Sequence, residues 1–177
     1  MKRAVVITAS DGVSAGVRQD ASGLGVGERL EALGYTVERA VLPDELAMLT
    51  EVLRETAKAH DLIVTTGGTG LTPRDVTPQA TKAAIDYEIP GMAEAMRAAG
   101  RASTPFADLS RGVVGVIGRA LVVNLPGSPR GAIESLTAIE AVLDHALETL
   151  AGPFDHDHAH DDPVTTEGAG EARGPGA

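Results

Sequence analysis

The segment DLIVTT, residues 61–66, is apolar through its centre, with no polar residue alternating into the run. A strand of that kind has both faces covered, the usual condition of a parallel sheet packed between helices. Two further strand-like segments precede it, RAVVITA (3–9) and YTVERAVL (35–42). Helical periodicity lies between them. Val26, Leu30 and Leu33 share one face over residues 24–33, and Gly34 ends that helix. A second helix starts at Pro43–Asp44, with Leu46, Leu49 and Leu53 on one side and Val52 and Ala57 widening it. The order β-α-β-α-β predicts an α/β fold: a three-layer domain whose mostly parallel sheet is flanked by helices.

The rest of the chain extends this plan. Thr77–Pro78 opens a helix, and residues 91–100 and 103–108 read as short helices. VVGVIGRALVVNLPG (113–127) reads as two strands about a Gly118–Arg119 turn. Ser128–Pro129 begins the longest helix, which runs to about Leu150 with Ile133, Leu136, Leu143, Leu147 and Leu150 as its stripe. The domain therefore covers 1–150. From Ala151 the chain is polar, rich in Gly and Pro and without periodicity, so 151–177 is expected to be a disordered tail.

Composition removes several functions. The chain lacks cysteine, which excludes disulfides, thiolate metal sites and cysteine nucleophiles. Aromatic residues are 2%, too few for base-stacking platforms, and a net charge of −10 argues against nucleic acid. No apolar run approaches membrane-span length and no signal peptide is visible, so a cytoplasmic, membrane-free protein is expected. Residues 1–150 carry 14 basic and 19 acidic side chains, and 151–177 carry 1 and 6. An anionic ligand must then be held by local amides, helix ends or a metal ion rather than by the overall field.

TTGGTGLTPRDVTPQAT, residues 65–81, is the strongest local signal. It follows a strand and precedes a helix, the place where open α/β sheets bind ligands. Gly67, Gly68 and Gly70 let backbone N–H groups approach an anion, and Thr69, Thr72 and Thr77 add hydroxyls. A tight connection is the plainer account. The loop lacks the lysine-bearing phosphate-binding signature. GLGVG (23–27) resembles half a dinucleotide fingerprint but follows a loop, which favours helix packing. Asp75 lies between two prolines, so a carboxylate held there can bind a divalent cation; otherwise Arg74–Asp75 is a surface ion pair. Asp44 also falls at a strand's carboxyl end, where it can share Mg²⁺ with Asp75 or simply cap a helix. Ser10 and Asp11, after the first strand, are contact candidates. NLPGSPRGA (124–132) supplies a second anion cradle or an ordinary cap, through Asn124, Pro126, Gly127 and Ser128. His156, His158 and His160 alternate with Asp or Ala in the tail, where metal affinity is expected to be incidental. His60 and His145 are isolated, and no Ser-His-Asp trio is evident.

GGTGLTPRDVTPQAT together with VVNLPGSPRGAIESL resembles the molybdenum-cofactor biosynthesis family of the Mog/MoaB type, whose domain also occurs in gephyrin. The likeness covers about residues 3–150. It implies a trimeric α/β domain that uses ATP and Mg²⁺ to adenylylate molybdopterin, releasing pyrophosphate, with the molybdenum-insertion protein as a partner. It assigns Asp75 and Asp44 as the functional carboxylates, Gly67, Gly68, Thr69 and Gly70 to the nucleotide and pterin loop, and Asn124 to Ser128 to a second substrate loop. Many relatives have Asn where this chain has Ser128. A non-catalytic molybdopterin binder, a trimeric scaffold and a nucleotide pyrophosphatase are the alternatives.

Overall fold

The structure, a computed structural model, describes residues 2–152. In chain order the elements are β1 (Arg3–Ala9), α1 (Asp11–Ser14), α2 (Ala21–Ala32), β2 (Thr36–Leu42), α3 (Leu46–Thr56), β3 (Leu62–Thr66), α4 (Thr77–Ala84), β4 (Tyr87–Glu88), α5 (Pro90–Arg101), a 3-10 helix (Pro105–Leu109), β5 (Val114–Ile117), β6 (Ala120–Leu125) and α6 (Pro129–Ala151). They form one six-stranded sheet in the order β2-β1-β3-β6-β5-β4. The first four strands of that order are parallel, while β5 runs antiparallel to both β6 and β4.

Strand alternation divides the core in two. Ala4, Val6, Leu62, Val64, Leu121, Val123 and Leu125 point to the face covered by α2, α5 and α6, where Leu30, Met92, Leu136, Ile139 and Leu143 meet them. Val5, Ile7, Ala9, Ile63 and Val122 point the other way, onto Leu49 and Leu53 of α3 and Ala80 and Ala84 of α4. Both faces of β1, β3 and β6 are thus dry, which is why those segments lack alternation. The glycines of α2 serve packing, as their position after a loop suggests: a Cβ on Gly23 would collide with Thr8 and Asp20, and one on Gly27 would lie 3.2 Å from Arg39.

The expected elements are present with shifted ends. Helix α2 begins at Ala21 because Asp20 caps it, its Oδ1 accepting from the Gly23 amide at 2.8 Å. Helix α3 begins at Leu46 rather than at Pro43–Asp44. Leu33 and Leu46, expected in the core, are 38% and 45% exposed, because each sits at the end of its helix and turns off the buried stripe. Helix α1 and the two-residue edge strand β4 were not anticipated. Among the described residues no helix is long and apolar enough to cross a membrane. The histidine-bearing tail lies outside the described residues.

Candidate functional site

Strands β1, β3 and β6 end side by side, and the loops leaving them meet. Gly67 donates its amide to the Leu125 carbonyl at 3.2 Å. A Cβ on Gly67 would strike the Ala9 carbonyl oxygen, and one on Gly127 would stand 3.1 Å from the Gly67 Cα. Glycine is therefore required where the three loops touch. Around this junction opens a polar cleft of ≈ 630 Å³. Of the candidate residues, Ser10, Asp11, Asp44, Gly67, Gly68, Thr72, Asp75, Gly127 and Ser128 line it.

Thr69, Gly70, Asn124 and Pro126 line a second cavity of ≈ 280 Å³, which lies between the glycine loop, α5 and the 3-10 helix and is walled by Ala93, Met96, Phe106 and Leu109. Ser128 borders both. Thr77 lines neither. It is buried in the first turn of α4, where its amide donates to the Gly68 carbonyl at 3.1 Å.

The two key carboxylates differ in environment. Asp75 Oδ2 accepts from the Thr72 amide at 2.8 Å. Burial pushes its carboxyl up, but the Thr72 hydroxyl and amide, the Gly70 amide and the Arg111 charge outweigh burial and hold it below the usual carboxylate range. Asp44 is pushed above that range, chiefly by burial, with the charges of Asp11 and Asp75 adding to the shift. Its Oδ2 accepts from the Asp11 amide at 2.9 Å, while the Asp44 amide donates to Asp11 Oδ1 at 3.0 Å. Asp44 Oδ1 is buried without a partner among the described residues, and so is Thr77 Oγ1. Both atoms face the Cα of Gly68.

Several expectations need correction. Asp44 does not cap α3; Glu45 holds the cap position and makes no side-chain cap bond. Arg74 does not pair with Asp75 but grips Asp11, Nε to Oδ2 and Nη2 to Oδ1, both at 2.9 Å. The glycine loop is less open than expected, since the amides of Gly67, Gly70 and Thr72 are used within the protein. Asn124 lines the second cavity and also ties the fold together. Its Nδ2 donates to Thr65 and Thr81 hydroxyls at 3.0 and 2.9 Å, and its Oδ1 accepts from the Val113 amide at 3.1 Å. Ser128 caps α6 by accepting from Gly131 at 3.3 Å while bordering both cavities. Asn124→Ala should cost about 2 kcal/mol in chemical denaturation, because it strands buried hydroxyls and an amide; an unchanged midpoint would remove this role.

Residues 5–147 match the sequence family described as "Probable molybdopterin binding domain". The chain belongs to that family. It is 35% identical over 156 residues to a molybdopterin adenylyltransferase of Helicobacter pylori, covering 84% of this chain and 88% of that one. It is 34% identical over 166 residues to the molybdopterin adenylyltransferase of Escherichia coli, covering 84% and 85%. Among solved structures, the molybdopterin biosynthesis enzyme MoaB of Thermus thermophilus superposes with a TM-score of 0.81 at 49% identity, over 86% of this chain and 98% of that one. The three-layer fold is the family's.

Sequence reasoning passed over two arginines at this site. Arg111, just before β5, donates from Nε to the Gly70 carbonyl and from Nη2 to the Asp75 carbonyl, each at 2.6 Å, and its amide donates to the Thr69 carbonyl at 3.0 Å. It thereby fixes the loop that carries Asp75. A lone arginine between a short helix and a strand gives no periodic or spacing signal. Arg18, in the loop after α1, lines the polar cleft.

Proposed function

We propose that this chain transfers the adenylyl group of ATP to molybdopterin in the synthesis of the molybdenum cofactor. The observation that carries the reading is that Asp44 and Asp75, from separate crossovers of the sheet, line one polar cleft beside the glycine junction. The names of the relatives give the chemistry a source. A terminal phosphate oxygen of molybdopterin attacks the α-phosphorus of ATP, the bond to the bridging oxygen breaks, and pyrophosphate leaves. Such a transfer demands positioning and charge neutralisation more than a strong base.

The donor set suits a hard cation. Among the described residues no cluster of three metal-ligating side chains occurs. Mg²⁺ is commonly held by one or two carboxylates plus water and phosphate oxygens. Asp75 and the unpartnered Oδ1 of Asp44 would hold it, and when bound it would offset the charge of the phosphates. Arg74 fixes Asp11, and Asp11 in turn orients Asp44 through the paired backbone contacts. The neighbouring apolar cavity, reached past Ser128, suits one of the two flat heterocycles.

Incubation with molybdopterin, Mg²⁺ and labelled ATP tests the reading. Adenylyl-molybdopterin and pyrophosphate are expected; ligand binding without product would make the chain a passive binder. Among the described residues every one that lines the cleft lies between 8 and 129, so truncation after Gly152 should leave the rate within about twofold of the full chain. Asp44→Asn should not lower stability at pH 7 in metal-free buffer. Its folded-state pKa is raised, so ionisation costs the native state, and that cost disappears as pH falls through the raised value. Denaturation midpoints at pH 7 and pH 4 check this: the variant's advantage should shrink in acid. A marked loss of stability at pH 7 would mean that the ionised group supports the fold.

A further inference from the structure

Charge in the polar cleft is unevenly matched. Asp11, Asp44 and Asp75 line it together with two guanidinium groups, Arg18 and Arg74. Arg74 is engaged by Asp11 through both ends of its fork. Arg18 is exposed, and its side chain makes no hydrogen bond or ion pair among the described residues. It is the cleft's only uncommitted cation among those residues.

The loop that carries Arg18 directs it inward. After α1, the amides of Val17 and Arg18 both donate to the Gly12 carbonyl, at 2.9 and 3.0 Å, and fold the chain back over that residue. The guanidinium then rests on the bare Cα of Gly12. A Cβ there would stand 2.8 Å from Nε and 3.1 Å from Nη2. Residue 12 thus forms a seat that any larger side chain would fill, and the flexible arginine head would move while the fold stayed intact. A planar fork without a partner, lining a polar cleft, matches the oxygens of a phosphate chain.

We propose that Arg18 is a ligand-binding residue of this cleft, contacting the oxygens of a polyphosphate, and that Gly12 is the seat that aims it. The choice of a nucleoside triphosphate as the source of that polyphosphate rests on the adenylyl-transfer reading. Recognition of the phosphate chain by Arg18 does not.

The test is calorimetric titration of the full chain with inorganic tripolyphosphate, in magnesium-containing buffer, with inorganic monophosphate as the comparison. The wild type should bind tripolyphosphate more tightly than monophosphate. Arg18→Gln should weaken tripolyphosphate binding about tenfold, and Arg18→Lys should restore part of the loss, because a point charge cannot reproduce the fork. Gly12→Ala should weaken binding in the same direction and add nothing to Arg18→Gln, since both act through one group. Melting temperatures of the Arg18 variants should match the wild type, as no internal partner is lost. Wild-type affinity in Arg18→Gln, or failure of the wild type to bind tripolyphosphate, would overturn the inference. Arg18-dependent tripolyphosphate binding without adenylylated product would support it while removing the transfer reading.

Discussion

Asp75→Asn should slow adenylyl transfer by about 10³-fold while leaving ligand affinity within a few-fold of wild type. The substitution keeps the shape of the side chain and removes its charge. The loop around it is held independently: Arg111 grips the Gly70 and Asp75 carbonyls, and the Asp75 amide donates to the Thr72 carbonyl at 3.0 Å. The side-chain amide would turn an N–H toward the donors of Thr72 or Gly70 and lose one hydrogen bond, about 1 kcal/mol. In a chain of this size that lowers the melting temperature by a few degrees, so the folded variant remains measurable. Single-turnover product formation with labelled ATP, beside calorimetric affinities, separates the possible roles. A wild-type rate would remove Asp75 from the reaction, and an affinity loss as large as the rate loss would make it a binding group.

The environments of the two carboxylates also order their titrations. Asp75 is held ionised below the usual range by its donors, whereas Asp44 is raised by burial. As pH falls, Asp44 takes up a proton first. Wherever both must be ionised, the acidic limb of activity follows Asp44, and Asp44→Asn measures how much of the rate needs that charge.

Much of this arrangement was legible in the chain because it rests on backbone rules. Strands buried on both faces read as continuous apolar runs, and DLIVTT, RAVVITA and ALVVNL all became central strands. The loops at their carboxyl ends, and at that of the parallel neighbour β2, then had to lie on one edge, which is why Asp44, Asp75, Ser10, Asp11 and Ser128 were found together. What could not be read was the pairing of side chains across loops. Arg74 and Asp75 are sequence neighbours, yet Arg74 binds Asp11, 63 positions away. Asn124 follows a strand within a substrate-like loop, and that position gives no sign of its hydrogen-bond network. Only the three-dimensional register brings Thr65, Thr81 and Val113 within its reach. Strand β4 escaped notice because two exposed residues carry no alternation, and its pairing is set by its β5 neighbour.

The glycines were read from the sequence as an opening for a ligand, and the geometry gives them a prior task that a mutation can expose. Gly67 has φ +90°, a region where a side chain is strained by about 1–3 kcal/mol. Its Cβ would also press into the Ala9 carbonyl at the end of β1. Overpacking of that kind adds about 1–3 kcal/mol, because the obstacle is backbone and cannot rotate away. Gly67→Ala should therefore lose about 4 kcal/mol, or roughly 10 °C in melting temperature. It should also lose most activity, since the loops of β1, β3 and β6 can no longer close beneath the cleft. Gly91 provides the contrast. It lies in the first turn of α5, its φ is outside the positive region, and a Cβ there would meet nothing within 4 Å. Gly91→Ala should leave stability unchanged or raise it by about 0.5 kcal/mol. If Gly67 served only to admit a ligand, Gly67→Ala would fold at the wild-type temperature and fail solely in binding. That result would show that the junction of the three loops does not depend on the missing side chain.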